Sequence, residues 1–153
     1  MHLQTVKSCF EQAQSRDILP ELYRLFAEGD LAGGKLEEAK AHGEQALLLA
    51  RELAVHADEG KVLRVLGEIS LARGELAQAA AYLQQSLELL EKAGEVYEKA
   101  RSQLVLAVLY VRQGYKQMAA LVLDQCIPTF ERLGAERDLL RARALKAPLD
   151  AES

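Results

Sequence analysis

The hydrophobic positions of this chain fall into stripes with helical spacing, and the stripes recur. Between residues 59 and 73, Leu63, Leu66, Ser70 and Leu71 return at intervals that line up one face of an α-helix. Between 75 and 93, Leu76, Ala79, Leu83, Leu87 and Leu90 mark the buried face of a second helix. Gly74 separates the two and Gly94 follows the second, because glycine tolerates the left-handed geometry that ends helices. The same layout predicts helix pairs at 18–32 with 35–54 and at 96–113 with 115–133.

The pairs repeat with a fixed period. Gly34, Gly74 and Gly114 are spaced by 40 residues, as are Ala39, Ala79 and Ala119, and Gln45, Gln85 and Gln125. A period in the range of about 20–50 residues marks a solenoid, in which one supersecondary unit stacks on copies of itself. Small residues recur where helices must approach closely: Ala27, Gly67 and Ala107 at one position, and Ala46, Ser86 and Cys126 at another.

The middle unit reads Leu63-x-x-Leu66-Gly67-x-x-Ser70, then Gly74, then Ala79-x-x-x-Leu83. The third supplies Leu106-Ala107-x-x-Tyr110 and Ala119-x-x-x-Leu123, and the first Tyr23-x-x-Phe26-Ala27 and Ala39. These residues resemble the tetratricopeptide repeat pattern over about residues 21–133. The period of 40 exceeds the family's usual ~34, Glu91 stands where its closing proline belongs, and Leu63 and Gln103 replace its leading aromatic. The wording of residues 66–76 is similar to long-period arrays in large bacterial signalling proteins. The resemblance implies an all-α, right-handed superhelical solenoid of antiparallel helix pairs.

Three full units are expected at 18–54, 58–94 and 96–134. Phe10-Glu11-Gln12-Ala13 aligns with Leu90-Glu91-Lys92-Ala93, so residues 1–13 read as the second helix of a preceding, truncated unit in a piece of a longer protein. Residues 135–147 read as a charged capping helix, since terminal repeats need a polar outer face. The tail from Pro148 is expected to fray. Pro128 is expected to kink or stop its helix near 124–128, because it removes the bond to the Asp124 carbonyl.

Composition narrows the function. The 153 residues are half hydrophobic, with three prolines and no tryptophan, which suits a single helical domain. A formal net charge of −4 argues against a dedicated nucleic-acid binder. The longest apolar run, Leu104 to Val111, falls short of the ~20 residues a membrane span needs. Met1-His2-Leu3-Gln4 lacks the pattern of a signal peptide, and Cys9 and Cys126 form no motif, so a cytoplasmic location is expected.

No catalytic constellation, metal site or cofactor motif emerges. Gly33-Gly34-Lys35 lacks the spacing of a phosphate loop, and His2, His42 and His56 are not at metal-ligand spacing. His42 shares its repeat position with Tyr82 and Val122 and reads as a helix-surface or packing residue. A non-enzymatic protein-interaction module, regulatory or scaffolding, is therefore expected. Self-association through Leu3, Val6 and Phe10, or sensing of a small ligand or signal peptide, are the alternatives.

The resemblance also implies where a partner binds, because the first helix of each unit lines the inner groove in this family. The corresponding residues are Glu21, Arg24, Glu28 and Leu31, then Lys61, Arg64, Glu68 and Leu71, then Arg101, Leu104, Val108, Val111 and Arg112. Five are basic and three acidic, which suits an acidic or mixed-charge protein or peptide. Arg24 with Glu28, and Arg64 with Glu68, are also i,i+4 neighbours that can pair with each other. The family's clamp of basic residues and asparagines is not reproduced, since the chain has no asparagine. Leu104, Val108 and Val111 form either an exposed docking patch or a face covered by the helix at 136–145.

Overall fold

Five glycines and one alanine set the rhythm of the backbone. Gly34, Gly74, Gly94, Gly114 and Gly134 have φ between 68° and 85°, and Ala54 has φ 55°. Each sits 20 residues after the last, half the period seen in the side chains. At each one the next residue's N–H reaches back five positions: Lys35 to Asp30, Val55 to Ala50, Glu75 to Ser70, Glu95 to Leu90, Tyr115 to Tyr110 and Ala135 to Phe130, at 2.8 to 3.2 Å. This closure satisfies a carbonyl that the ending helix leaves open, and it needs a residue that accepts positive φ. The same next residue accepts the first bond of the following helix, as Lys35 does from Ala39 and Glu75 from Ala79. Two or three residues therefore suffice to end one helix and begin its antiparallel neighbour.

The computed structural model describes residues 16–151. A 3-10 turn at Arg16–Ile18 leads into seven α-helices: α1 (Leu19–Ala32), α2 (Leu36–Leu53), α3 (His56–Ala72), α4 (Leu76–Ala93), α5 (Val96–Gln113), α6 (Lys116–Leu133) and α7 (Glu136–Ala151). No strand occurs among the described residues. The helices pair as α1 with α2, α3 with α4 and α5 with α6, and the pairs stack in chain order. Across the stack α1 touches α3, α3 touches α5 and α5 touches α7. The odd-numbered helices thus form one continuous inner layer, in the all-α solenoid that the period predicts.

Close approach explains the small residues. Ala27, Ala39, Ala46, Ala79, Ala107 and Ala119 are fully buried. A Cβ on Gly67 would meet Leu83 Cγ at 2.9 Å, and one on Gly43 would meet Leu66 Cδ2 at 2.7 Å. Leu66 fills the space that leucines occupy themselves at the equivalent positions, Leu83 and Leu123. Ser86 is small for a second reason. Its hydroxyl donates to the Gly60 carbonyl at 2.7 Å and lies 2.8 Å from the Ser102 hydroxyl, joining two units through buried polar groups.

Neither Pro128 nor Pro148 ends its helix. The helix α6 runs unbroken past Pro128 to Leu133. Pro128 is exposed, so the carbonyl it leaves open at Asp124 belongs to the solvent face, where water can satisfy it. The helix α7 likewise continues past the exposed Pro148 to Ala151 instead of fraying there.

Candidate functional site

The inner layer carries a ladder of alternating charge. Asp58, Glu98 and Asp138 stand 40 residues apart near the starts of α3, α5 and α7, and Lys61, Arg101 and Arg141 follow each by three. A spacing of three places each acid and base on the same helix face. Lys61 and Arg101 are also close enough to act electrostatically on the acid of the next unit. Lys61 acts on Asp58 and Glu98, and Arg101 acts on Glu98 and interacts with Asp138. Glu98 lies 3.6 Å from Arg101, whose guanidinium rests 5.6 Å over the Tyr97 ring. The Tyr97 hydroxyl donates to Asp138 at 2.5 Å, which ties α5 to α7.

A second column runs beside the first. Arg24 bonds Glu28 at 3.1 Å and Glu21 at 3.4 Å, so the local pairing weighed for these residues is present. Arg64, one repeat later, is different. Its side chain is 1% exposed, and Nη1 is bonded to Glu98. Glu68 and Glu28 approach its Nε and Nη2 only to 3.7 and 3.8 Å. In the third unit the same positions hold Leu104 and Val108, so the column turns from charged to aliphatic.

Burial divides the fates of these acids. For Glu98, burial alone would raise the carboxyl, but the charge and hydrogen bond of Arg64, backed by Arg101 and Lys61, hold it below its ordinary value. For Glu68, burial pushes the carboxyl up, Arg64 offsets only part of that, and Glu28 adds to it. Asp58 is raised by burial against the pull of Lys61. Burial raises the Tyr97 hydroxyl too, and its bond to Asp138 adds to the effect.

The thirteen residues expected at the groove do not behave alike. Eight of them border one cleft of about 290 Å³ between α3, α5 and α7: Leu31, Arg64, Glu68, Leu71, Arg101, Leu104, Val108 and Arg112. Glu21, Arg24, Glu28, Lys61 and Val111 lie outside its lining. Three corrections follow. Arg64 is a buried ion-pair centre, not a free groove base. Arg101 packs on Tyr97 and pairs with Glu98. Arg112 donates to the Leu71 carbonyl at 2.5 Å. The excess of basic residues is cancelled by Asp58, Glu98 and Asp138, which the family positions omit. Of the apolar trio, Leu104 is buried and packs in the cluster that holds Ala142 of α7, while Val108 and Val111 remain half-exposed.

Asp58, Glu98, Asp138 and Arg141 were missed because only family positions were carried over. The signal was available, since the 40-residue period applies to the charges as it does to the glycines. Elsewhere His42 packs on Tyr23 and Phe26, with Nδ1 2.6 Å from Oδ2 of the buried Asp30. Burial pushes the Cys126 thiol up to about 11, which keeps it protonated and inert. No group of three or more histidines, cysteines or acids among the described residues could hold a metal ion. No described helix is long and apolar enough to cross a membrane. Leu3, Val6, Phe10 and the half unit at 1–13 lie outside the described residues.

The family model described as tetratricopeptide repeat matches residues 19–92. The structure resembles the crystal structure of BtubC (BKLC) from P. vanneervenii, with a TM-score of 0.68 and 18% identity over 98% of this chain and 72% of that one. It also resembles a Podosopora anserina structure described by its kinesin light chain nearly identical TPR-like repeats, with a TM-score of 0.67 and 20% identity over 95% of this chain and 76% of that one. At these identities the likeness is one of fold. No curated protein matches the chain in sequence. Tetratricopeptide repeats in general serve as non-catalytic modules for protein–protein interaction.

Proposed function

We propose that the chain, whose residues 19–92 belong to the tetratricopeptide repeat family, docks a peptide or helix of a partner protein along its inner layer. In this reading it is a regulatory or scaffolding segment of a larger cytoplasmic signalling protein. The observation that carries the reading is the inner layer itself. A ladder of paired charges leads into an open cleft of about 290 Å³ with an aliphatic wall, on rigid helices. Because the ladder's charges alternate, the matching partner is of mixed charge and not purely acidic.

Site-specific photo-crosslinking tests it. A photoreactive residue at Val108, on the inner layer, should capture the partner in cells that make the whole parent protein. The same residue at Leu121, exposed on α6, should not. Capture from Leu121 alone would move the interface to the outer layer and overturn the proposal.

A further inference from the structure

The cleft closed by α7 contains an unused pair of hydrogen-bond donors. Arg64 borders it, and its Nε and Nη2 are buried without a hydrogen-bond partner. Those two N–H groups form the side edge of a guanidinium, a fork that accepts both oxygens of one carboxylate. Glu68 and Glu28, at 3.7 and 3.8 Å, stand beyond hydrogen-bond reach of it. Burial this deep makes unused donors expensive, so the site favours an acceptor that fits.

The repeat register explains why the fork lacks a hydrogen bond. Glu28 has a base in its own unit, Arg24, and faces a second in the next, Arg64. Glu68 has Arg64 at 3.7 Å but no such neighbour in the next unit, where the equivalent position is Leu104, and Arg101 and Arg141 act on it from farther away. The cleft therefore has a charged side, where Arg64 and Glu68 stand among three further arginines and Asp138, and an aliphatic side, Leu71, Leu104 and Val108.

We propose that this cleft binds a free aliphatic α-amino acid of about the size of leucine. Its carboxylate occupies the Arg64 fork, its ammonium meets Glu68, and its side chain lies along Leu71, Leu104 and Val108. The carboxylates gathered around Arg64 favour a zwitterion there. Glu28, Glu68 and Glu98 already converge on Arg64. A bare carboxylate would add a fourth negative charge, and a bare ammonium would leave the fork open. A zwitterion fills both sites and adds no net charge. Glu68 is 30% exposed, so it turns outward to the ammonium and uncovers the fork. The cleft volume of about 290 Å³ is at the small end for ligand pockets, which suits a single amino acid. This reading goes beyond partner docking and does not depend on it.

Titrations of the whole chain followed by nuclear magnetic resonance test the proposal. L-leucine should shift resonances of residues 64–72 and 101–112. N-acetyl-leucine, which lacks the ammonium, and leucinamide, which lacks the carboxylate, should each bind at least about tenfold more weakly. Glu68→Gln should weaken leucine by a similar factor, and Val108→Phe should abolish binding, with circular dichroism unchanged in both. Should either variant unfold, the comparison of the three ligands on the unaltered chain still decides. Equal binding of leucine and N-acetyl-leucine would overturn the proposal. So would the absence of any shift up to about 10 mM leucine. A blocked Leu-Glu dipeptide that matched leucine would assign the fork to a partner's side chain instead.

Discussion

Ala54 and Gly94 stand one repeat apart and close equivalent helices in the same left-handed conformation, Ala54 at φ 55° and Gly94 at φ 70°. The alanine carries a Cβ into a region that disfavours it by roughly 1–2 kcal/mol. Replacing it with glycine removes that strain but adds flexibility to the unfolded chain, a loss of about 0.5–1 kcal/mol. Ala54→Gly is therefore expected to stabilise the fold by about 0.5–1 kcal/mol, read as a higher denaturant midpoint at unchanged slope. A lower midpoint would show that the turn at 54 is held by more than its backbone angles.

Pro128 offers a second stabilising change. It sits on the exposed face of α6, where its ring contributes little to the core. Pro128→Ala restores the bond to Asp124 and removes the ring's clash with that turn. Proline is about 3 kcal/mol worse than alanine inside a helix, so a gain of about 1–3 kcal/mol is expected. Thermal denaturation measures it, and no rise in Tm would mean that α6 is already adapted to the proline.

Arg64 should be the least replaceable residue of the inner layer. Arg64→Met keeps much of the side chain's bulk but leaves Glu98, only 15% exposed, without its main partner. Breaking a buried pair from one side costs about 3–5 kcal/mol. A loss of about 3 kcal/mol is expected by chemical denaturation, since Glu98 keeps Arg101 nearby. A loss below about 1 kcal/mol would place the guanidinium's role in binding rather than folding.

The acids beside Arg64 predict opposite responses to pH. Glu98 is held below its ordinary value of 4.5, so its contribution to stability is present above that value and is lost as pH falls through the folded pKa. Glu68 is raised above 4.5, so it favours the folded state only below that value and loses this as pH rises through its folded pKa. At pH 7, Glu98→Gln should destabilise the chain and Glu68→Gln should stabilise it. Both differences should shrink when stability is measured in acid, below the ordinary carboxylate pKa. Equal signs at pH 7 would contradict the unequal hold of Arg64 on these two carboxyls.

Ala79→Leu tests the packing between α3 and α4. The side chain at 79 is fully buried, and its carbonyl lies 3.6 Å from where a Cβ on Gly67 would stand. Overpacking there should cost roughly 1–3 kcal/mol, and an unchanged melting midpoint would contradict the close approach.

The period made the helix pairs, the turns and the small interface residues legible, because each depends on backbone spacing that repeats in the sequence. Gly34, Gly74 and Gly114 mark their turns directly, whereas Ala54 hides one, since only the backbone angle shows that an alanine has taken a glycine's place. The groove was half legible. Leu71, Leu104 and Val108, all reached from the family pattern, border the cleft. The state of Arg64 was not, because whether a base is free or buried depends on Glu98, which lies in another unit 34 residues away. That Pro128 does not stop α6 was hidden for a related reason, since a helix tolerates proline best where its open carbonyl faces water, and the facing direction is set by packing.

The 20-residue spacing of the left-handed turns also fixes how such a chain can grow. Every helix with its turn is one step, and each step reverses direction and changes layer. A single added helix would invert the parity of everything after it, sending the Asp58–Lys61 type of ladder to the outer layer and the α6 type of surface inward. Only even steps leave the inner layer continuous. The 40-residue repeat seen in the side chains is thus the smallest length that can be duplicated or deleted without turning the array inside out.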